Sequence, residues 1–309
     1  MPELPEVQTI VNQLAEKLVG KTIEAVHVRL PKMFEGDKKD VVGAKIKSVE
    51  RRAKIIIIKL DNGKNIVVHL KMTGQLVYGK GDRGNKGYVA DTVSFSQGIP
   101  FAGMSLPGKT THVIFTLRDS GRGQNDGESK LFFNDMRQFG WVRVINNDQL
   151  AMINEKHGPE PFDYAQGKPS KEFTPEYLLK ICSNWGRPIK LLLMEQGKIA
   201  GIGNIYANEA LWYSAISPMK RGRDLAKEEP EKVKELYDAI KKVLEMGIKY
   251  QGSSAADEAF VNALGEKGKM QDHFMVYQKQ GQPCQRCGSI IVTSRIGGRG
   301  TFFCPKCQE

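Results

Sequence analysis

Four of the five cysteines fall in two close pairs near the carboxyl end, Cys284-x2-Cys287 and Cys304-x2-Cys307. Each pair is spaced to chelate one edge of a zinc tetrahedron, and four protein thiolates leave no open position on the metal, so one structural Zn2+ is expected. Two disulfides or four free thiols are the alternatives, and an intracellular setting, expected because no signal peptide is visible, favours metal. Residues 290–295 and 301–303 predict a hairpin turned at Gly297-Gly298, with Arg299 near its tip. Arg286, Arg295, Arg299 and Lys306 make this module basic, which suits contact with phosphates or simply keeps it soluble. Cys182 stands alone and reads as a small core residue.

The amino terminus offers a different chemistry. Removal of Met1 leaves Pro2 as a free secondary amine, with a pKa of roughly 7.7–8.0 on the α-amino scale. Such an amine is partly neutral at physiological pH, can attack a sugar carbon and can form an iminium. Glu3 and Glu6 lie within a few residues and can move protons, although Pro5 and Glu6 also suit the first turn of any helix. Gly201-Ile202-Gly203-Asn204 precedes a predicted helix, where exposed N–H groups either hold a phosphate or are merely capped. It is not a dinucleotide fingerprint, because Ala207 interrupts the glycine pattern and a helix precedes it. Arg137 and Phe139 lie two residues apart between strand candidates, a cation for base edges and an aromatic for a wedge. Met72 follows a strand at a turn, and Lys54 follows Arg51-Arg52-Ala53. Taken singly, Phe139 and Met72 also read as packing residues and Lys54 as a strand-end lysine.

The elements that must position these groups follow from pattern. Val7, Ile10, Val11, Leu14 and Leu18 form one helical stripe, with Pro5 in the first turn and Gly20 at the stop. Short β-branched runs then predict strands at 23–30, 45–49, 54–60, 65–70, 112–117, 131–133 and 141–145, a sandwich or barrel. Residues 79–110 and 119–129 read as long exposed loops. Helix signals return from Thr174-Pro175-Glu176 onward, at 188–195, 204–213 and 230–248. The expected organisation is an α+β chain: a strand-rich domain at 1–150, a linker at 151–173, a helical domain at 174–272 and a four-cysteine finger at 273–309. The 309 residues carry 46 Lys+Arg against 35 Asp+Glu, a net charge of +11 that points to a polyanionic partner such as nucleic acid. With 40% apolar and 26% charged residues the composition is globular, not disordered, and no run reaches the roughly 18–20 apolar residues of a membrane span.

In their order along the chain, six segments together resemble the formamidopyrimidine-DNA glycosylase (Fpg/Nei) family. They are Pro2-Glu3-Leu4-Pro5-Glu6-Val7, Arg52-Ala53-Lys54, the residues from His69 to Gly74, the residues from Asp135 to Gly140, those from Gly201 to Glu209, and the finger bearing Arg299. The resemblance implies two lobes, the first a catalytic β-sandwich with flanking helices and the second a helix-two-turn-helix domain with a zinc-finger β-hairpin, and damaged double-stranded DNA in the cleft between the lobes. It implies that Pro2 attacks C1′ of a flipped-out nucleotide, that Glu3 shuttles protons, that Glu6 supports the site, and that a Schiff base leads to β,δ-elimination. By the same resemblance Lys54, Asn204 and Arg299 hold the phosphates, and Met72, Arg137 and Phe139 fill the vacated stack, Arg137 facing a cytosine. The expected activity is therefore excision of 8-oxoguanine and formamidopyrimidines in base excision repair, by an intracellular, nucleoid-associated protein for which a monomer suffices. Leu4 favours this branch over the endonuclease VIII-like enzymes of oxidised pyrimidines, which typically carry Gly there; a non-catalytic damaged-DNA binder is the third reading. Gln138 stands where a second basic residue is usual, the 79–130 region is longer than typical, and a lesion-capping loop is expected at about 253–273.

Overall fold

The structure is a computed structural model that describes residues 1–80, 92–119, 128–163, 168–255 and 260–309. The chain forms two compact units, one of Met1–Asn154 with Tyr250–Lys269, the other of Glu155–Lys249 with Met270–Glu309.

The first unit opens with α1 (Leu4–Leu18), which buries Leu4, Val7, Ile10, Val11, Leu14 and Leu18 along the predicted stripe and stops at Gly20, whose φ is +88°. The strands that follow are β1 (Lys21–Val28), β2 (Phe34–Glu35), β3 (Ile46–Arg52), β4 (Ile55–Leu60), β5 (Asn65–His69), β6 (Gly74–Lys80), β7 (Val93–Ile99), β8 (Gly103–Leu106), β9 (Thr111–Asp119), β10 (Ser129–Asp135) and β11 (Trp141–Ile145), then helix α2 (Asn147–Glu155). They make a four-stranded sheet in the order β1-β9-β10-β6 and a five-stranded sheet in the order β2-β11-β5-β4-β3. One core joins the inner faces of both sheets to α1: Ile23, Leu76, Val113, Phe115 and Phe133 meet Ile46, Ile56, Ile58, Val68 and Val142. This is the expected sandwich. The isoleucine run of β4 alternates between two environments, Ile56 and Ile58 in that core and Ile55 and Ile57 with Val67, Ile145 and Leu150 on the outer face. Burial on both faces explains why this strand reads as a continuous apolar run.

Two expectations are corrected. Residues 79–110 are not all loop, because β7 and β8 pair as a hairpin whose Val93, Ile99, Ala102 and Leu106 pack with Val77, Ile114 and Phe132. The Ser, Gln and Gly residues of the hairpin dilute its alternation, so period 2 is hidden until the burial is seen. The remaining parts of the long insert, residues 81–91 and 120–127, lie outside the described residues. Nor does the chain divide at the expected boundaries. Tyr250–Lys269, assigned above to the helical domain, packs into the first unit. Phe260 and Ala263 enter the sandwich core, Tyr78 N–H donates to Ala263 O at 2.7 Å, and Ala263 N–H donates to Gln13 Oε1 at 2.9 Å. Of the expected capping segment, residues 256–259 lie outside the described residues.

The second unit begins with the short pair β12 (Phe162–Asp163) and β13 (Lys168–Pro169), so the expected linker is partly structured. Helices α3 (Pro175–Ser183), α4 (Ile189–Leu193), α5 (Asn204–Tyr213), α6 (Gly222–Glu228) and α7 (Pro230–Lys249) follow, and α3 is capped by Thr174 Oγ1, which accepts Tyr177 N–H at 3.1 Å. Helix α6 was not anticipated, its seven residues being too short to show a period. The hairpin β14 (Val292–Ile296) and β15 (Arg299–Phe303) turns at Gly297-Gly298, as the sequence predicts. Among the described residues no helix is long and apolar enough to cross a membrane.

Candidate active site, DNA-contacting loops and zinc finger

Pro2, Glu3 and Glu6 are all buried at the head of α1. Glu3 is the N-cap residue, and it forms a reciprocal capping box with Glu6, whose Oε2 accepts Glu3 N–H at 2.9 Å. The other oxygen of Glu6 accepts Ser253 N–H at 2.8 Å, so a single carboxylate ties the start of the chain to the Tyr250–Lys269 segment. The preceding residue must be glycine. Gly252 has φ +80°, and a Cβ there would stand 2.8 Å from Glu6 Cγ. Both roles left open for this terminus therefore operate together: the residues cap a helix, and the cap fixes them in a buried place.

Lys54 lies, 6% exposed, in the two-residue turn joining β3 to β4, where Arg52 pairs with Ile55 and Ala53 takes φ +53°. Arg51 holds that turn, donating to Ala53 O at 2.8 Å and to Gln8 Oε1 on α1 at 2.9 Å. The Lys54 turn is thus braced against the amino-terminal helix.

Met72, Arg137 and Phe139 come together on loops leaving one end of the four-stranded sheet. The Arg137 guanidinium donates to Met72 Sδ at 3.1 Å and lies 4.9 Å from the centroid of the Phe139 ring. All three are exposed, Phe139 at 55%. Their organiser is Asp135, a motif residue whose type and spacing alone do not mark it out. Its buried carboxylate accepts from Thr73 Oγ1–H, from Arg137 N–H at 3.1 Å, from Phe139 N–H at 2.9 Å and from Gly140 N–H at 2.7 Å. Arg137 N–H also reaches Thr73 Oγ1 at 3.0 Å, which joins the two loops directly. A carboxylate has lone pairs enough for all four donors.

In the second unit the four sulfurs of Cys284, Cys287, Cys304 and Cys307 lie within 4.8 Å of one another. The 284–307 and 287–304 separations are 4.0 and 3.5 Å, bracketing the edge of about 3.8 Å for a tetrahedron with Zn–S bonds of about 2.3 Å. The donor set fits one structural zinc. Trp212 Nε1–H points at Cys284 Sγ from 3.4 Å, and Gln308 accepts Cys304 N–H while donating to Ile216 O. Cys182 is fully buried, and burial pushes its thiol up to about 12, as suits an inert core residue.

Asn204 and Arg299 are connected through Asn208. Gly203, not Asn204, is the N-cap of α5; Asn204 is its first residue, and its Oδ1 is buried without a hydrogen-bond partner. Asn208 donates to Asn204 O at 2.6 Å and accepts Phe302 N–H at 2.9 Å, fastening α5 to the strand that begins at Arg299. Two more buried groups brace this region, and neither was singled out from sequence. Lys190 Nζ donates to Gly300 O at 2.7 Å and to Thr301 Oγ1 at 2.8 Å. Glu209 accepts the N–H groups of Met275, Val276 and Tyr277 at 2.8–3.0 Å. Burial pushes the Glu209 carboxyl above its ordinary range, against the pull of those three donors. A charged residue in a predicted helix face gives no local signal that it faces inward.

A sandwich with a buried Pro2-Glu3 head, a helical unit and a four-cysteine hairpin define a class of multidomain proteins with a carboxyl-terminal zinc finger. Three family models cover the chain in turn: the formamidopyrimidine-DNA glycosylase N-terminal domain over residues 1–142, its H2TH domain over 158–259, and the zinc finger found in FPG and IleRS over 281–309. The formamidopyrimidine-DNA glycosylase of Chloroflexus aurantiacus is 37% identical, covering 100% of this chain and 98% of that one. Among solved structures, MutM in complex with DNA containing carbocyclic 8-oxo-G matches with a TM-score of 0.78 and 31% identity over 100% of both chains. The Lactococcus lactis Fpg bound to abasic-site DNA matches with the same TM-score and identity over 99% of both. The chain belongs to the formamidopyrimidine-DNA glycosylase family.

Proposed function

We propose that the protein is a bifunctional DNA glycosylase and abasic-site lyase that excises oxidised purines from damaged duplex DNA. The carrying observation is the buried Pro2-Glu3 pair at the head of α1, in a chain whose whole length matches the family. With Met1 removed, the Pro2 nitrogen bonds to C1′ of the extruded nucleotide as the glycosidic bond breaks, and the base leaves with that electron pair and a proton. Glu3 moves the proton at the deoxyribose that opens the ring, giving an iminium between Pro2 and C1′. Successive β- and δ-elimination then expel the two flanking phosphates, and water releases Pro2. Both oxygens of Glu6 accept backbone N–H bonds, so its part is to fix Glu3 and the Ser253 turn.

Lys54 and Arg299 supply charge for the phosphates next to the lesion. Rotating the Asn204 amide by half a turn places its Nδ2 donor where the unpaired Oδ1 now stands, which suits a phosphate oxygen. Met72, Phe139 and Arg137 fill the space the flipped base leaves, with the Arg137 fork presented to the orphaned partner. The zinc folds the finger and takes no part in the bond changes.

Borohydride trapping tests this reading. Mature protein incubated with an 8-oxoguanine:cytosine duplex should yield a covalent adduct that intact-mass and peptide analysis place at Pro2. Preference for an oxidised pyrimidine would transfer the protein to the other branch of the family. Binding without trapping on the lesion or on a preformed abasic site, with Met1 shown to be absent, would refute catalysis.

A further inference from the structure

Three neighbouring strands of the first sheet, β9, β10 and β6, end together: Asp135 pairs with Gly74, and Asn134 pairs with both Gln75 and Thr111. Loop 71–73 enters β6 at this end, loop 136–140 leaves β10, and the segment 100–110 enters β9. The third of these carries the turn of the β7–β8 hairpin, which is seated on the same strand ends. Gln75 Nε2–H donates to Pro100 O at 3.1 Å, Thr110 Oγ1–H donates to Phe101 O at 3.1 Å, and Asp135 N–H donates to Thr110 O at 2.9 Å.

Each loop displays large apolar side chains to solvent beside a strained backbone. Met72 follows Lys71 at φ +54°, Phe139 follows Gln138 at φ +56°, and Phe101 itself has φ +64°. Phe101 is 55% exposed and Met104 on the same hairpin 59%, as much as Phe139. A bulky residue in the left-handed region costs free energy, and such positions cluster where a ligand is met. Other apolar residues of the hairpin, Val93, Ile99 and Leu106, face inward and are buried. The charge on the three loops is one-sided: Lys71, Lys109 and Arg137 are cations, residues 71–73, 100–110 and 136–140 contain no Asp or Glu, and the adjoining Asp135 is buried among its own donors. Apolar tips set among cations fit the sugar edges and phosphates of a duplex.

We propose that the tip of the β7–β8 hairpin is a third DNA-contacting element, in which Phe101 of the turn and Met104 of β8 rest on the duplex beside the Met72 and Arg137–Phe139 loops while Lys109, in the segment leading to β9, meets a phosphate. This rests on the DNA-binding reading above and extends the contacted length of duplex beyond the lesion. The test is fluorescence anisotropy of the full chain on 8-oxoguanine:cytosine duplexes, full-length or shortened on one flank at a time. Phe101→Ala should weaken binding of the long duplex about fivefold, the low end of what one aromatic–base contact contributes. That penalty should vanish on the duplex shortened on one flank and persist on the other. Lys109→Ala should lower the slope of log K against log salt by about one. Equal affinities for wild type and Phe101→Ala on every duplex, with wild type still trapped by borohydride, would overturn this inference alone. Wild type that neither binds nor traps would overturn the proposed function as well. A change in self-association on Phe101→Ala, with DNA affinity unchanged, would assign the patch to a second copy and refute the DNA contact.

Discussion

Replacing Asp135 by Ala removes the acceptor for four donors, and the structure says which of them suffer. Arg137 N–H keeps a second partner in Thr73 Oγ1 at 3.0 Å, but Phe139 N–H and Gly140 N–H lose the carboxylate oxygen they share. A buried donor left unsatisfied costs about 1–3 kcal/mol, so the two together cost about 2–6 kcal/mol before relaxation. Gly140 is buried and Phe139 is exposed, so water recovers part of the Phe139 term. The expected loss is then about 2–4 kcal/mol, a large share of a typical net stability of about 5–15 kcal/mol. With a urea m value of about 1–3 kcal/mol/M, the midpoint should fall by about 0.7 M or more at unchanged slope. Asp135→Asn keeps one acceptor oxygen and should fall between. Because Asp135 also sets the Met72 and Arg137 loops against each other, the ratio of excision opposite cytosine to excision opposite adenine should drop towards one, with trapping at a preformed abasic site losing less. A midpoint shift under about 0.2 M, or equal losses on lesion and abasic substrates, would refute this account of Asp135.

Three further outcomes follow from other groups. Chelation of zinc, or Cys304→Ser, should disorder the β14–β15 hairpin and with it Arg299, lowering DNA affinity and flattening its salt dependence; unchanged affinity after verified metal loss would break that link. Glu3→Gln should cripple base removal more than cleavage of a preformed abasic site, as single-turnover rates on the two substrates can establish, and equal losses would argue against proton transfer by Glu3. Glu209 has a folded-state pKa above its ordinary 4.5, so the stability its protonated form contributes is fully present below that value and is lost as pH rises through the folded pKa. The urea stability of wild type minus that of Glu209→Gln should accordingly decline as pH rises from about 4.5, and a flat difference would mean the two states hold the proton equally.

The sequence by itself determined the parts whose signal is local. A chelating pair of cysteines is a short-range pattern, and its two copies specified the zinc ligands and the hairpin between them. The apolar stripe of α1, its Pro5 start and its Gly20 stop are also local, as are the β-branched runs that became β4, β5 and β11. Only the tertiary structure decided which side of the chain a residue of mixed character faces. Lys190 and Glu209 carry no local sign of burial; folding places them against the finger and the 275–277 backbone, where long-range donors and acceptors replace water. The hairpin β7–β8 lacks a clean alternation, and its core partners come from β6, β9, β10 and Val261, far away in sequence. Residues 251–269 read only as a loop after a long helix, from Gln251-Gly252-Ser253-Ser254 onward, yet Glu6 and Gln13 at the other end of the chain hold this segment in the first unit. Asp135 and Phe101 acquire meaning in the same way, because strand register brings the ends of β6, β9 and β10 together, and register is set by the summed burial of whole strands, which no single motif encodes.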